Sequence, residues 1–349
     1  MLAARKALAS PTGSRGHTGP QVYLAVATQG APSAHLIGYS PAEAAFYGLL
    51  QSGAATGSRQ YPTISRDGRV AAYPGETTDS AVLIAVRSGG DWSLGPPIPA
   101  KAALDTLSLS PDASKLAGAM AVGTTTGGWN LDCTRSADGS YTVDVNNSVG
   151  TSGPRGTYYG ADNRATFQVI HFSTAAQRAR IAVPNPFAVL APSSPAPGSQ
   201  PVYGARSTSL GVCAAALVAS PWWAVYKWGG GGSFSGQQIS GRALSGTPTD
   251  LSVAPDGSAV AAVQGGDVHL FRVGSTTNWA STITLGDART ASWAGNGDLL
   301  LVVRASAPQL AAYAIDSSTL ATTPVATGTL DTDGIRTVLG AEASGYVAP

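Results

Sequence analysis

The chain has 349 residues, a hydrophobic fraction of 43%, a charged fraction of only 12% and a formal net charge of +1. Those values exclude a chain disordered throughout, argue against a broad basic surface for nucleic acid, and suit two domains or one repeat-built domain. Three Glu and four Lys are very few for exposed helix, whereas Gly, Pro, Ser, Thr and Asp abound, so strands joined by many turns are expected.

Residues 1–19, "MLAARKALASPTGSRGHTG", carry Arg5 and Lys6 but no apolar run. They read as a flexible arm rather than a signal peptide. "QVYLAVA" (21–27) and "AHLIGYS" (34–40) follow as two strands. "SPAEAAFYGLL" (40–50) predicts a short helix, with Ser40 as N-cap and Pro41 at the first helical position. "YPTISRDGRVAAYPG" (61–75) is a short strand, an Asp67-Gly68 turn and an apolar strand, and "AVLIAVRSGGDWSLG" (81–95) adds a third strand and another turn. "LSLSPDASKLAGAMAVG" (107–123) repeats that order around Pro111-Asp112.

The rhythm breaks between 122 and 164. "GWNLDCTRSADGSYTVDV" reads as a hairpin about Asp138-Gly139, followed by a loop-like stretch, and is taken as an insertion. "ATFQVIHFS" (165–173) and "RARIAVP" (178–184) then supply the third and fourth strands of the interrupted unit, and "NPFAVLAPSSPAPGSQP" (185–201) reads as a Pro-rich connector. "STSLGVCAAALVASPWWAVYKW" (207–228) is a degenerate copy without its turn residues. The cleanest copy is "DLSVAPDGSAVAAVQGGDVHLFRV" (250–273), with "STITLG" (281–286) as its fourth strand. "TASWAGNGDLLLVVRAS" (290–306) repeats it with Asn296-Gly297, and "IRTVLGAEASGYVAP" (335–349) is a copy cut short.

Asp67 to Asp112 is 45 residues and Asp256 to Asn296 is 40, a period that suits four-stranded units packed radially as the blades of a β-propeller. A β-sandwich would also show short strands but need not keep the period. Counting starts near 63, 107, 209, 251, 290 and 335 predicts six four-stranded blades, with seven as the alternative if 107–206 holds two. The truncated last copy and the two first strands predict a ring closed by both chain ends in one blade, so that residues 20–349 form one propeller domain. The turns "ISRDG" (64–68), "LSPDA" (109–113) and "VAPDG" (253–257) resemble those of WD40-like and TolB-like propeller repeats. That resemblance implies the fold and says almost nothing of function; the Trp-Asp and Gly-His marks of strict WD40 repeats are missing.

Chemistry-bearing motifs are sparse. No G-x-S-x-G elbow occurs, the four His are scattered, and no pair of Cys has zinc-ligand spacing, so no catalytic residue, metal or cofactor is assigned. Asp67, Asp112, Asp256 and Asn296 occupy one turn slot and are read as turn formers rather than acids. Cys133 and Cys213 are two buried thiols or, in an oxidising compartment, one disulfide. Trp129, Tyr158 and Tyr159, inside the expected insertion, are the candidate contacts for a protein partner. The longest apolar runs, near 210–219 and 299–303, are too short to span a bilayer as helix. Together these features predict a non-enzymatic scaffold for protein–protein interaction, with neither nucleic acid nor a membrane as partner. The alternatives are a structural subunit of a larger assembly, such as a virion or surface complex, and a secreted propeller hydrolase or lyase.

Overall fold

The computed structural model describes residues 21–344 apart from connecting stretches, the longer ones being 53–60, 121–128, 171–177, 205–211, 274–280 and 331–337; for the strand residues at 119–120, 129–130, 145–211, 339 and most of 213–243 the backbone alone is described. The expected arm, 1–19, lies outside the described residues. No helix occurs among them.

Among the described residues, twenty-nine strands build seven sheets, all of them antiparallel. The first joins β1 (Val22–Thr28), β2 (Ala34–Ser40) and β3 (Ala45–Ser52) to the last strand of the chain, β29 (Val338–Ala343), in the order β29-β1-β2-β3. The second runs β4 (Thr63–Ile64), β5 (Val70–Tyr73), β6 (Ala81–Ser88) and β7 (Asp91–Leu94), with β8 (Ile98–Pro99) also on β6. The third is β9 (Thr106–Leu109), β10 (Lys115–Met120), β11 (Trp129–Arg135) and β12 (Tyr141–Ser148). The fourth is β13 (Pro154–Tyr159), β14 (Thr166–Ile170), β15 (Arg178–Val183) and β16 (Ala188–Pro195). The fifth is β17 (Pro201–Gly204), β18 (Val212–Leu217), β19 (Trp223–Gly229) and β20 (Ser233–Gln238). The sixth is β21 (Asp250–Val253), β22 (Ala259–Gln264), β23 (Asp267–Arg272) and β24 (Ser281–Ile283). The seventh is β25 (Ala288–Ala294), β26 (Leu299–Arg304), β27 (Leu310–Ile315) and β28 (Thr322–Gly328).

The innermost strands touch in cyclic order, β29 to β4, β4 to β9, β9 to β13, β13 to β17, and β21 to β25 to β29, with β18 against β21 between the fifth and sixth sheets. The architecture is therefore an all-β propeller. Both chain ends share the first sheet: β1 pairs β29 antiparallel, Leu24 opposite Ala343 and Ala27 opposite Gly340. This pairing covers an edge that would otherwise present free N–H and C=O groups.

The core lies between sheets rather than inside any one of them. Val268, Leu270 and Ala261 of the sixth sheet pack on Trp293, Leu300 and Tyr313 of the seventh. Leu299 and Val303 of the seventh pack on Val22, Leu24 and Tyr39 of the first. Ile84 and Val82 pack on Leu107, Leu116 and Cys133 across the second and third. Trp223 of the fifth sheet lies 4.4 Å, ring to ring, from Phe271 of the sixth and is fully buried. The second strands β5, β22 and β26 are covered on both faces, which is why "AVAAV" in β22 is apolar throughout, whereas the outermost β28 is largely exposed.

Several expectations change here. Seven sheets replace the expected six, because 107–206 holds two. The hairpin in 122–164 is not an insertion: β11 and β12 are the outer pair of the third sheet, and β13 is the innermost strand of the fourth. The fourth sheet lacks a Pro-Asp-Gly turn between its first strands, so the turn signal that marked the other copies was missing. Consequently "ATFQVIHFS" and "RARIAVP" hold second and third strands, and the Pro-rich "connector" contains β16, an outermost strand whose free side tolerates missing amide donors. The helix expected over 40–50 is a turn and a strand. Ala44 takes φ 49, and β3 pairs β2 from Ser40↔Ala45 to Ala34↔Ser52. Tertiary pairing, supported by Phe46 stacked 4.8 Å from Tyr39, overrides the capping pattern.

Candidate functional site

Two places gather polar side chains. The first is the axis. Successive amides of a strand point to opposite sides, so every second amide of an innermost strand has no second-strand partner. Ser65, Ser110 and Ser344 donate backwards into their own sheets, to Val70, Lys115 and Tyr23 carbonyls. The amides just before them turn to the axis and are taken by side chains of the preceding sheet. Ile64 N donates to Glu342 Oε2 (3.3 Å), Leu109 N to Thr63 Oγ1 (3.0 Å), Ala343 N to Ser292 Oγ (2.7 Å), Trp293 N to Ser252 Oγ (3.3 Å) and Ala291 N to Asp250 Oδ2 (3.0 Å). Five such links tie the sixth, seventh, first, second and third sheets. They satisfy buried donors that water cannot reach.

Among the described residues two carboxylates stand in this column, Asp250 and Glu342, 2% and 9% exposed. Asp250 lies at the end of the axis where innermost strands begin. There the Tyr61 hydroxyl donates to the Thr249 carbonyl at 3.4 Å. Tyr61 precedes β4 of the second sheet and Thr249 precedes β21 of the sixth, and those sheets are not neighbours. The tyrosine therefore reaches across the axial mouth.

The second place is a recess of about 480 Å³ lined by Arg69, Arg87, Gly89, Gly90 and Arg135. Arg69 follows the β4–β5 turn, Arg87 stands near the end of β6, Gly89 and Gly90 form the β6–β7 turn, and Arg135 ends β11. First-to-second and third-to-fourth turns of a meander lie at the same end, so this recess faces away from the Tyr61 mouth. The Arg87 amide donates to the Arg69 carbonyl (2.8 Å), which sets these two arginines side by side. The Arg87 guanidinium lies 4.9 Å above the Tyr23 ring and donates to the Tyr23 hydroxyl.

The residues singled out by sequence distribute as follows. Asp67 Oδ1 accepts from Ser65 Oγ (2.6 Å) and the Arg69 amide (3.0 Å); Asp112 Oδ1 accepts from Ser110 Oγ (2.8 Å) and the Ser114 amide (2.9 Å). Asp256 Oδ1 takes the Ser258 amide (2.9 Å) and hydroxyl (2.7 Å). At Asn296 the capping acid is Asp298, whose Oδ1 accepts the Asn296 amide at 3.3 Å. Burial opposes ionisation of Asp112, but the Ser114 and Ser110 donors outweigh it and hold its carboxyl below the usual range. Trp129 sits at the start of β11 opposite Met120 and Ser148, and Tyr158 and Tyr159 sit in β13 opposite Phe167 and Thr166. They belong to two different sheets, at strand positions, and their side chains lie outside the described part. Cys133 is a free, fully buried thiol in the third sheet, while Cys213 is in β18 of the fifth, so the disulfide alternative is set aside. Burial, and after it Asp132 and Asp144, push the Cys133 thiol up to about 12. Among the described residues no group of three His, Cys, Asp or Glu could hold a metal ion, and no helix is long and apolar enough to cross a membrane.

Sequence reasoning did not single out Asp250, Tyr61 or the arginine recess. A polar-apolar-polar triplet opens the innermost strands, "DLS" (250–252), "TAS" (290–292) and "TIS" (63–65). That triplet was a usable signal for the axial column; nothing local marks the recess, which draws on two sheets.

No protein-family model matches the chain, and no curated protein matches it in sequence. Its fold is similar to several solved structures. A proposed 6-phosphogluconolactonase from Bacteroides uniformis matches with TM-score 0.68 at 15% identity, covering 92% of this chain and 99% of that one. The periplasmic gluconolactonase of Pseudomonas aeruginosa matches with TM-score 0.66 at 17% identity, covering 90% and 98%. The WD40 repeats of RRP9 match with TM-score 0.59 at 10% identity, covering 78% and 81%. The shared property is the propeller fold, in agreement with the WD40-like and TolB-like resemblance of the turns. These matches also correct the expectation of a non-enzymatic interaction scaffold. The lactonase-named structures cover more of the chain, at higher TM-score, than the WD40 repeats do.

Proposed function

We propose that the protein is a propeller hydrolase that opens the ring ester of a sugar lactone at the axial mouth. The observation that carries this reading is Asp250, a buried carboxylate beside the Tyr61 bridge, in a fold shared with two lactonase-named structures. A carboxylate held beside the substrate carbonyl can act as general base toward water. In the proposed reaction the Asp250 carboxylate takes a proton from water, the resulting oxygen attacks the lactone carbonyl carbon, and the ring C–O bond breaks. The proton returns to the departing ring oxygen, leaving an open hydroxy acid and Asp250 in its starting state. Tyr61, whose hydroxyl donates to the Thr249 carbonyl at 3.4 Å, stands at the mouth and offers that hydroxyl to the lactone carbonyl oxygen.

The test is alkali uptake in a pH-stat with glucono-1,5-lactone. The expected result is hydrolysis above the spontaneous rate, reduced by roughly 100-fold or more in Asp250→Asn, as for loss of a general base. Asparagine keeps an oxygen for the Ala291 amide, so an unchanged melting temperature in that variant separates catalysis from ring integrity. No acceleration by the wild-type protein overturns the reading.

A further inference from the structure

We propose that the recess between the second and third sheets is a binding site for a phosphate group, carried by a small molecule or free. Three guanidinium groups line it, and the charge balance around them is uneven. Arg69 Nε lies 3.6 Å from Asp67 Oδ2, a pair largely open to solvent. Arg87 donates to the Tyr23 hydroxyl and stands over its ring, and Arg135 Nε donates to the Gly139 carbonyl at 3.4 Å. Neither Arg87 nor Arg135 pairs with a carboxylate among the described residues. The nearby Asp67 and Asp112 are occupied by their own turns, each accepting two hydrogen bonds through Oδ1.

A guanidinium carries five N–H donors, and among the described residues these two use one each. Like charges gathered in one concavity repel, and a dianion with several acceptor oxygens removes that repulsion. Arginine's planar fork matches phosphate better than a point charge does. The remaining wall is main chain. Gly89 and Gly90 take φ 58 and 98, and a Cβ at either would meet no atom within 4 Å, so the turn leaves the recess open. At about 480 Å³ the recess accommodates a phosphorylated small molecule. It lies at the opposite end of the blades from Asp250 and Tyr61, so the proposal stands apart from the hydrolase reading.

The experiment is calorimetric titration of the full chain with inorganic phosphate and, separately, with glucose 6-phosphate, using glucose and chloride as controls. Phosphate or the sugar phosphate is expected to bind, and Arg135→Gln to weaken binding about tenfold, the loss of one charge-assisted contact. Arg69→Gln should weaken it less, since Arg69 already has an acid beside it. Equal affinity for both probes identifies the phosphate group alone as the ligand, and tighter binding of the sugar phosphate identifies a phosphorylated small molecule. A second readout is melting temperature, which phosphate should raise in wild type but not in Arg135→Gln. The proposal is overturned if neither probe binds, or if wild type and Arg135→Gln respond alike. Lactone hydrolysis should be unaffected by Arg135→Gln, so failure at one site is distinguishable from failure at the other.

Discussion

Glu342 Oε2 accepts the amide of Ile64 at 3.3 Å, across 278 residues of chain. The carboxylate comes from the last strand and the amide from the first strand of the second sheet. The bond links the sheet that joins both chain ends to its neighbour. Removing the acceptor leaves a buried N–H without a partner on that side. Glu342→Ala should therefore lower stability by about 2–3 kcal/mol, whereas Glu342→Gln, which retains an oxygen, should cost under about 1 kcal/mol. Urea denaturation followed by tryptophan fluorescence checks both; equal losses would show that the oxygen is not what matters.

Acid should weaken the seventh sheet through Asp287. Burial acts to raise its pKa, but the Arg304 guanidinium (Nε to Oδ1, 2.8 Å) and the Ser306 donors prevail, and its carboxyl is held below the usual range. A folded pKa below the unfolded value means the contribution is fully present above the unfolded carboxylate range. It is lost as pH falls through the depressed folded value. Stability should thus be flat near neutrality and fall below about pH 4. Asp287→Asn should lose about 1–2 kcal/mol at pH 7 and show a shallower acid decline. Melting temperatures from pH 7 to pH 2 measure the difference, and parallel curves would remove Asp287 from the account.

Cys133 should resist thiol reagents in the folded protein. It is fully buried and its pKa is pushed up to about 12, so almost no thiolate exists at pH 8. Peptide mapping after iodoacetamide treatment is expected to find Cys133 unmodified in buffer and modified in denaturant. Rapid native labelling would mean that the second–third sheet interface opens readily.

Gly265 and Gly266 share one turn, yet their substitutions should differ. A Cβ on Gly266 would fall 2.3 Å from the Gly286 carbonyl carbon, at φ 86, whereas Gly265 has φ 62 and open space. Gly265→Ala should cost about 1–2 kcal/mol, the left-handed penalty alone. Gly266→Ala should exceed it by about 2 kcal/mol or more, because main chain must move. Similar chemical-denaturation midpoints for the two variants would contradict the contact.

Much of the architecture was legible along the chain. Asp67, Asp112 and Asp256 recur in one turn slot, followed by Gly68, Ala113 and Gly257, and the strands around Asp256 lie where alternation and turn chemistry place them. The fourth sheet was not legible, because no Pro-Asp-Gly turn separates β13 from β14 and its strands were absorbed into a neighbour. Nor was β3, whose Ser-Pro start imitates a helix cap until strand β2 offers its edge. For the candidate sites the local signal was weaker still. Asp256 caps its turn as its motif predicts, while Asp250, six residues earlier and unmarked by any motif, faces the axis.

Composition, period and turn residues were enough to establish an all-β propeller, since hairpin geometry is encoded within a few residues of each turn. What tertiary structure decided are the relations between distant segments: seven sheets rather than six, Glu342 against Ile64, Tyr61 across the mouth to Thr249, and three arginines around one recess. These depend on which edge lies beside which, because an amide facing the axis finds its acceptor only on the neighbouring sheet.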